Sequence, residues 1–290
     1  MSSPSSKPLD ILQENFLLSA LTAEAQEQML PHLEMVELKP NEVLYQTEGQ
    51  INQVYFPVNA VVSRLALMMD GATTEILMTG REGLVGIAGV ISGGRAQHWT
   101  RVQVEGTALR MKTEEMTKLL HADETVMRTV LRAYRSMIAQ VSQRAVCNAR
   151  HTVMQRLCCW LLMIHDRVGV DDVALTQEII ASRLGARRAG VTVAAGALQN
   201  MHAIRYSRGL IHIERRAEIE SAACECYAVQ AGEFKSLRNR MEGDGTNSVE
   251  HNQREETPLI QERLGERGRE VAHLARRSSR SLHHDATRAR

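Results

Sequence analysis

Apolar and polar positions follow different rhythms along this chain, and each change of rhythm marks a new part. From Phe16 to Leu33 the apolar residues fall at the spacing of short helices. Between Met35 and Met111 the rhythm shortens. Residues 36–38 stop before Pro40, 42–45 before Glu48-Gly49, and 54–56 before Pro57. Residues 61–68 stop before Asp70-Gly71, 75–78 before Gly80, and 100–104 before Glu105-Gly106. Short β-prone runs that end at turn residues are strands, and Asp-Gly between two of them is a strong hairpin signal. Their regular spacing predicts a jelly-roll-like β-barrel or sandwich.

Helical spacing returns at 112–121 and lengthens from Glu124 to about Asn148, a run without Gly or Pro. There Met127, Val130, Tyr134, Met137 and Val141 form one narrow stripe at alternating three- and four-residue intervals, the signature of a coiled-coil seam. Arg128, Arg132 and Arg135 flank the stripe and suit a helix largely in solvent, so the stripe predicts a dimer axis; the competing reading is a helix lying on the barrel. The pattern breaks at 148–151. Thr152 with Gln155 then forms a capping-box signature, and a new helix runs to about Arg167 with Leu157, Trp160, Leu161 and Ile164 on its buried face.

The stretch QEIIASRLGARRAGVTVAAG, from Gln177 to Gly196, meets the demands of a helix-turn-helix at many positions together. Ala181 is small where the two helices must touch, and Gly185 tolerates positive φ at the turn. Ile180, Leu184, Val191, Ala194 and Leu198 fall at core spacing, and Thr176 stands ready as the cap of the first helix. Two β-prone runs around Arg208-Gly209 follow and predict the wing of a winged helix, with Arg208 at its tip. Helical texture returns at 216–238. The competing reading is an ordinary helical hairpin.

The predicted architecture is therefore α+β: a disordered N-terminus (1–15), a roll (16–121), a dimerisation helix (122–149), a winged helix-turn-helix (150–240) and a basic, mostly disordered tail (241–290). Some helical potential remains at 259–274 of that tail, and its arginines suit nonspecific attraction to DNA. With 35 basic against 34 acidic residues the net charge is +1, so bulk charge does not identify a nucleic-acid binder. A DNA surface must be local, and Arg183, Arg187, Arg188, Arg205 and Arg208 are the candidates. No apolar run reaches membrane-spanning length and the first ten residues lack an apolar signal core, which predicts a cytoplasmic protein without a membrane partner. The five cysteines, Cys147, Cys158, Cys159, Cys224 and Cys226, form no two-pair zinc spacing, so they are expected to be reduced and to pack, with no metal. No nucleophile–base constellation or phosphate loop appears, and the chain is not expected to be an enzyme.

In this order the parts resemble the CRP/FNR family of bacterial transcription regulators, over roughly Ile11 to Arg240. The resemblance rests on LTQEIIASRLGARRAGVTVAAGALQ with its wing, on VYFPVNAVVSRLALMMDGATTEILMTGREGLVGIAGV in the roll, and on ACECY at 223–227. It implies a homodimer whose roll senses a signal and whose recognition helices enter successive major grooves of a palindromic duplex; RNA polymerase is a further implied partner. By the same resemblance Arg188 stands where the family reads guanine, while Ala189 and Val193 replace residues that are often charged. Thr192 shares that face, Arg187 suits the phosphate backbone, and Thr176 and Arg208 complete the implied DNA-contact set. In cyclic-nucleotide-binding relatives a glutamate of a Gly-Glu-Leu run holds the ribose; here the run is Val85-Gly86-Ile87-Ala88, so Ile87 takes its place. The arginine that holds the phosphate would fall near Arg95, Gln97 or His98. Gly86, Ile87, Arg95, Gln97 and His98 thus outline an implied effector pocket, with cyclic AMP disfavoured, no resident cofactor expected and the effector unnamed. A constitutive regulator with a vestigial sensor, and a cyclic-nucleotide-type scaffold module, are the competing readings.

Overall fold

The computed structural model describes residues 10–243, which fall within one compact unit. The disorder expected at 1–9 and beyond 243, and the helical potential at 259–274, lie outside the described residues. Order begins earlier than the sequence suggests. Asp10–Glu14 makes a 3-10 turn that buries Leu12, and Asn15 caps helix α1 (Phe16–Ser19) while its amide donates to the carbonyls of Pro57 and Gly83. Helix α2 (Ala23–Met29) follows.

The roll is two stacked sheets rather than a closed barrel. One joins β1 (Glu34–Leu38), β7 (Gly106–Lys112) and β3 (Gln53–Pro57) in the order β1-β7-β3, all antiparallel. The other runs β2-β6-β4-β5, from β2 (Val43–Tyr45), β6 (Trp99–Val104), β4 (Val61–Leu67) and β5 (Thr73–Thr79). Asp70-Gly71 does turn the β4–β5 hairpin: Gly71 has φ +83°, and the Asp70 carboxylate accepts from Ala72 N–H at 2.9 Å. Strand β7 and the short helix α3 (Ile87–Ser92) have no counterpart among the sequence-predicted elements. Helix α3 sits in an apolar run broken by small residues, where the periodic signal is weak.

Helix α4 (Thr113–Ala122) leads into α5 (Glu124–Arg150), started by the Asp123 carboxylate accepting from Thr125 and Val126 N–H. Helix α6 (Val153–Val168) opens with the expected Thr152–Gln155 capping box, both halves formed, and ends at Gly169 with φ +68°. Beyond it lie β8 (Asp172–Ala174), α7 (Gln177–Leu184), α8 (Arg188–Asn200), β9 (Ile204–Ser207), β10 (Leu210–Ile213), α9 (Arg216–Ala222) and α10 (Glu225–Gly243). The helical texture at 216–238 is thus two helices. Strand β8 adds a third strand to the wing, in the order β8-β10-β9.

A buried polar network ties the helix-turn-helix to the roll. Glu75 on β5, with a fully buried side chain, accepts from Ser63 Oγ at 2.5 Å, Trp160 Nε1 at 2.9 Å and Arg144 at 2.9 Å. Arg144 also donates to the Arg183 carbonyl at 2.6 Å, and Arg183 Nε donates to Gln103 Oε1 at 2.5 Å. Ser182 and Thr73 pair at 2.6 Å, and Arg156 donates to the Leu184 carbonyl. Around these groups Val61 and Met78 of the roll join the core built by Trp160, Leu161, Ile180, Leu184, Val191 and Leu198. One hydrophobic core therefore spans roll and reader. A second tie is the buried Arg167–Glu82 pair at 2.6 Å, with the Phe234 ring of α10 stacked 5.6 Å from the guanidinium.

Candidate nucleic-acid interface

Helices α7 and α8 meet at a tight turn. Thr176 Oγ1 accepts from Ile179 N–H at 3.2 Å and starts α7; Gly185, at φ +56°, ends it by donating back into the helix. A Cβ at Gly185 would sit 3.1 Å from Thr74 of the roll in a backbone conformation that side chains resist, so both strain and crowding select glycine. The buried face of α8 is Val191, Ala194, Ala195 and Leu198. Its opposite face carries Arg187, Arg188, Ala189, Thr192 and Val193, all exposed, Val193 at 74%. No side chain caps the start of α8, so its first amides stand open beside the two arginines.

The wing is a two-residue hairpin. Ser207 pairs with Leu210, and Arg208 and Gly209 both have positive φ (49° and 79°), the geometry of a type I′ turn. Arg208 is exposed at its tip. The wing and α8 are linked by Gln199, which accepts from Tyr206 N–H at 3.0 Å. Burial raises the Tyr206 phenol pKa, and the nearby Arg188 guanidinium opposes that rise. One expectation needs correction. Arg183 is 3% exposed and faces the roll, so it adds nothing to the basic surface. Thr192 is exposed, but its hydroxyl already bridges to Gln177 Oε1 at 2.8 Å and to the Arg188 carbonyl at 3.1 Å, which ties the two helices together.

Residues 155–222 match the family described as a Crp-like helix-turn-helix domain. Solved structures share the fold over about two thirds of the chain. FixK2 from Bradyrhizobium japonicum aligns over 66% of this chain and 98% of its own at 18% identity, with a TM-score of 0.57. A CRP/FNR-family transcriptional regulator from Thermus thermophilus aligns over 66% and 98% at 18% identity and a TM-score of 0.55. The c-di-GMP-responsive global regulator CLP of Xanthomonas campestris aligns over 66% and 99% at 14% identity and a TM-score of 0.53. No curated protein matches by sequence. Residues 155–222 are thus similar to a Crp-like helix-turn-helix domain, and the fold around them is that of CRP/FNR-family regulators.

The roll departs in part from the implied effector pocket. Gln97 and His98 do line a cavity, with Tyr45, Ile51, Arg64 and Thr100, but it measures only about 40 Å³. Gly86 and Ile87 do not line it. Gly86, at φ +97°, starts α3 so close to Tyr45 that a Cβ would lie 2.6 Å from its hydroxyl, and Ile87 is packed in the core with Leu77 and Leu84. Arg95 is exposed, donates to the Glu48 carbonyl at 2.8 Å and lines a separate, open cavity of about 700 Å³ with Gln53, Lys112 and Thr113. The residue that sequence reading misses is Arg64. It sits mid-strand on β4, where nothing in the pattern marks it, and among the described residues no carboxylate pairs with it. Burial lowers its pKa, and the neighbouring Tyr45 and Tyr134 partly offset that. His98 is held below the usual histidine value by burial and by Arg64.

On α5 the expected seam divides. Val130 and Met137 are buried in the protein's own core with Val126 and Ala133, so they have no face to offer a partner. Tyr134 is 42% exposed, and Met127 and Val141 are half-buried. Leu131 (47%) and Ile138 (50%) stand in line with these three, and neither belongs to the seam that spacing alone predicts. The surface stripe is therefore Met127, Leu131, Tyr134, Ile138 and Val141.

The five cysteines are free and buried, as expected, but four of them converge. Cys147 from the last turn of α5, Cys159 from α6, and Cys224 and Cys226 at the start of α10 gather in one buried cluster beside His151. Burial pushes the Cys224 thiol up to about 12. The signal available in sequence is the i, i+4 pair Cys147/His151 facing the Cys224-Glu225-Cys226 run, which only the return of α10 onto α5 brings together.

Proposed function

We propose that the protein works as a homodimer that lays one α8 in each of two successive major grooves of a palindromic duplex. The observation that carries this reading is the face of α8: Arg187, Arg188, Thr192 and Val193 exposed opposite a wholly buried apolar face, at a helix start with open amides. Arg188 donates to guanine O6 and N7, a contact worth ~1–3 kcal/mol of base discrimination. Ala189 and Val193 offer only methyl contacts. Arg187, the open amides and Arg208 hold phosphates. The surface stripe of α5 seats a second copy and sets the two recognition helices ~34 Å apart. Such a dimer acts on DNA in the cytoplasm, with RNA polymerase as the partner through which it changes transcription.

Arg188→Ala is expected to weaken binding to a selected duplex ~10- to 100-fold and to relax preference at one base pair per half-site. Arg208→Ala is expected to weaken all duplexes alike and to lower the salt slope by about one unit. Fluorescence anisotropy on specific and random duplexes across a salt series reads both. Equal losses from both variants on both duplexes would contradict these roles.

Signal reaches the reader through the roll. Arg64 lies within electrostatic reach of Tyr134 on α5, so an anion drawn to Arg64 alters the stripe on which the dimer is built. A cyclic nucleotide does not suit this site as it stands, because ligand pockets run to ~300–1,000 Å³ and this cavity is about 40 Å³. That small volume favours a second reading, a constitutive DNA binder with a vestigial sensor. Titration calorimetry of the full chain against cyclic mononucleotides, cyclic dinucleotides and small carboxylates separates the two: heat with any of them supports a working sensor.

A further inference from the structure

The cysteine cluster has the metrics of a metal site. The ligand atoms of Cys147, His151, Cys224 and Cys226 all lie within 4.8 Å of one another, three of the four residues buried and His151 nearly so. Cys147 and Cys224 Sγ are 3.6 Å apart, and Cys226 Sγ is 3.5 Å from His151 Nδ1. Zinc bound tetrahedrally at ~2.3 Å from sulfur and ~2.0–2.1 Å from nitrogen gives ligand–ligand edges of ~3.8 and ~3.5 Å. These two edges fit such a tetrahedron, whereas cysteines packed as small apolar groups have no reason to converge with an imidazole.

The surroundings carry a second, independent sign. A metal-bound histidine usually donates its other ring N–H to a carboxylate, and bound thiolates accept hydrogen bonds from nearby donors. Here His151 Nδ1 faces the cluster while Nε2 lies 3.3 Å from the Glu225 carboxylate. Gln143 Nε2 donates to Cys226 Sγ at 3.0 Å. Cys159 Sγ, 3.3 Å from Cys224 Sγ, is placed to donate its S–H to a bound thiolate. Cys224 and Cys226 also sit at the N-terminus of α10, whose amide dipoles favour negative sulfur.

We propose that Cys147, His151, Cys224 and Cys226 bind one zinc ion, three thiolates and one imidazole, and that this ion fastens the start of α10 to the α5–α6 hinge. The three thiols release their protons to solvent as the metal binds. His151 is the C-terminal cap of α5, between the two long helices, so the ion fixes the joint about which reader and roll would turn. The inference goes beyond DNA binding, and its test uses no DNA.

The test is the metal content of the full chain, purified without a metal-affinity step and measured by mass spectrometry. One zinc per chain is expected. After removal by chelator, cobalt(II) should return with the intense visible bands of a tetrahedral, thiolate-bound ion. Cys226→Ser and His151→Ala should abolish that spectrum, and Cys158→Ser should leave it intact, since Cys158 lies outside the ligand set. Glu225→Gln, at a side chain 77% exposed and thus safe for folding, should weaken zinc ~10-fold or more in chelator competition. A wild-type chain free of metal that neither takes up zinc nor gives the cobalt bands would overturn the proposal. So would a Cys147–Cys224 or Cys159–Cys224 disulfide in the native protein, or a brown preparation holding iron and acid-labile sulfide.

Discussion

Glu75→Ala is expected to destabilise the chain by ~3–5 kcal/mol, because it removes the one carboxylate from a buried set of donors. The Glu75 side chain has no solvent exposure and that of Arg144 only 12%, so the arginine would be left charged and unpaired in the core. Ser63 Oγ and Trp160 Nε1 would lose their acceptor at the same time. At ~2–4 °C per kcal/mol for a chain of this size, the melting temperature should fall by ~6–20 °C in calorimetry. Glu75→Gln keeps an acceptor and should cost less. Because the group bridges roll, α5 and α6, the loss should also show as faster proteolysis between roll and reader. A double-mutant cycle with Arg144→Met isolates the pair: removing both charges should cost less than the two single changes added together. An unchanged melting curve for Glu75→Ala would mean that the network does not hold the two lobes together.

That network explains why some features are legible in the sequence and others are not. Periodic elements announce themselves. The Asp70-Gly71 hairpin, the Thr152–Gln155 box, the Thr176 cap, the Gly185 turn and the Arg208-Gly209 wing each depend on residues within a few positions of one another, and all are found. Features made by chain return are silent. Nothing local says that Arg183, in a basic stretch, will turn inward to Gln103, or that Glu75 will meet a tryptophan from another lobe. The cysteines read as scattered because their neighbours come from α5, α6 and α10. The effector outline is only partly legible: Arg95 and Ile87 are placed by loop correspondence, while Arg64, a half-buried cation, lies in an unmarked strand.

Helix α5 is half legible, and a second prediction follows from the half that misleads. It carries two adjacent apolar stripes, each at three- and four-residue intervals. Val126, Val130, Ala133 and Met137 face the protein's own core; Leu131, Tyr134 and Ile138 are exposed, with Met127 and Val141 half-buried at the edge of that core. A reading from spacing alone crosses from one stripe to the other, because offset by one residue both satisfy the same period. The structure separates them by burial, and mutation should separate them by consequence. Ile138→Asp places a charge on the surface stripe at a site already 50% exposed, so the fold should survive and the homodimer proposed above should not. Sedimentation should then report a monomer. Affinity for a duplex with two half-sites should fall ~10²- to 10⁴-fold as the second reader loses its tether, while binding to a single half-site should stay as it was. Val130→Asp, at a fully buried position, should instead unfold the chain, because the charge has no partner in that core. If Ile138→Asp remains dimeric with full affinity, the copies meet elsewhere and the exposed stripe has another use.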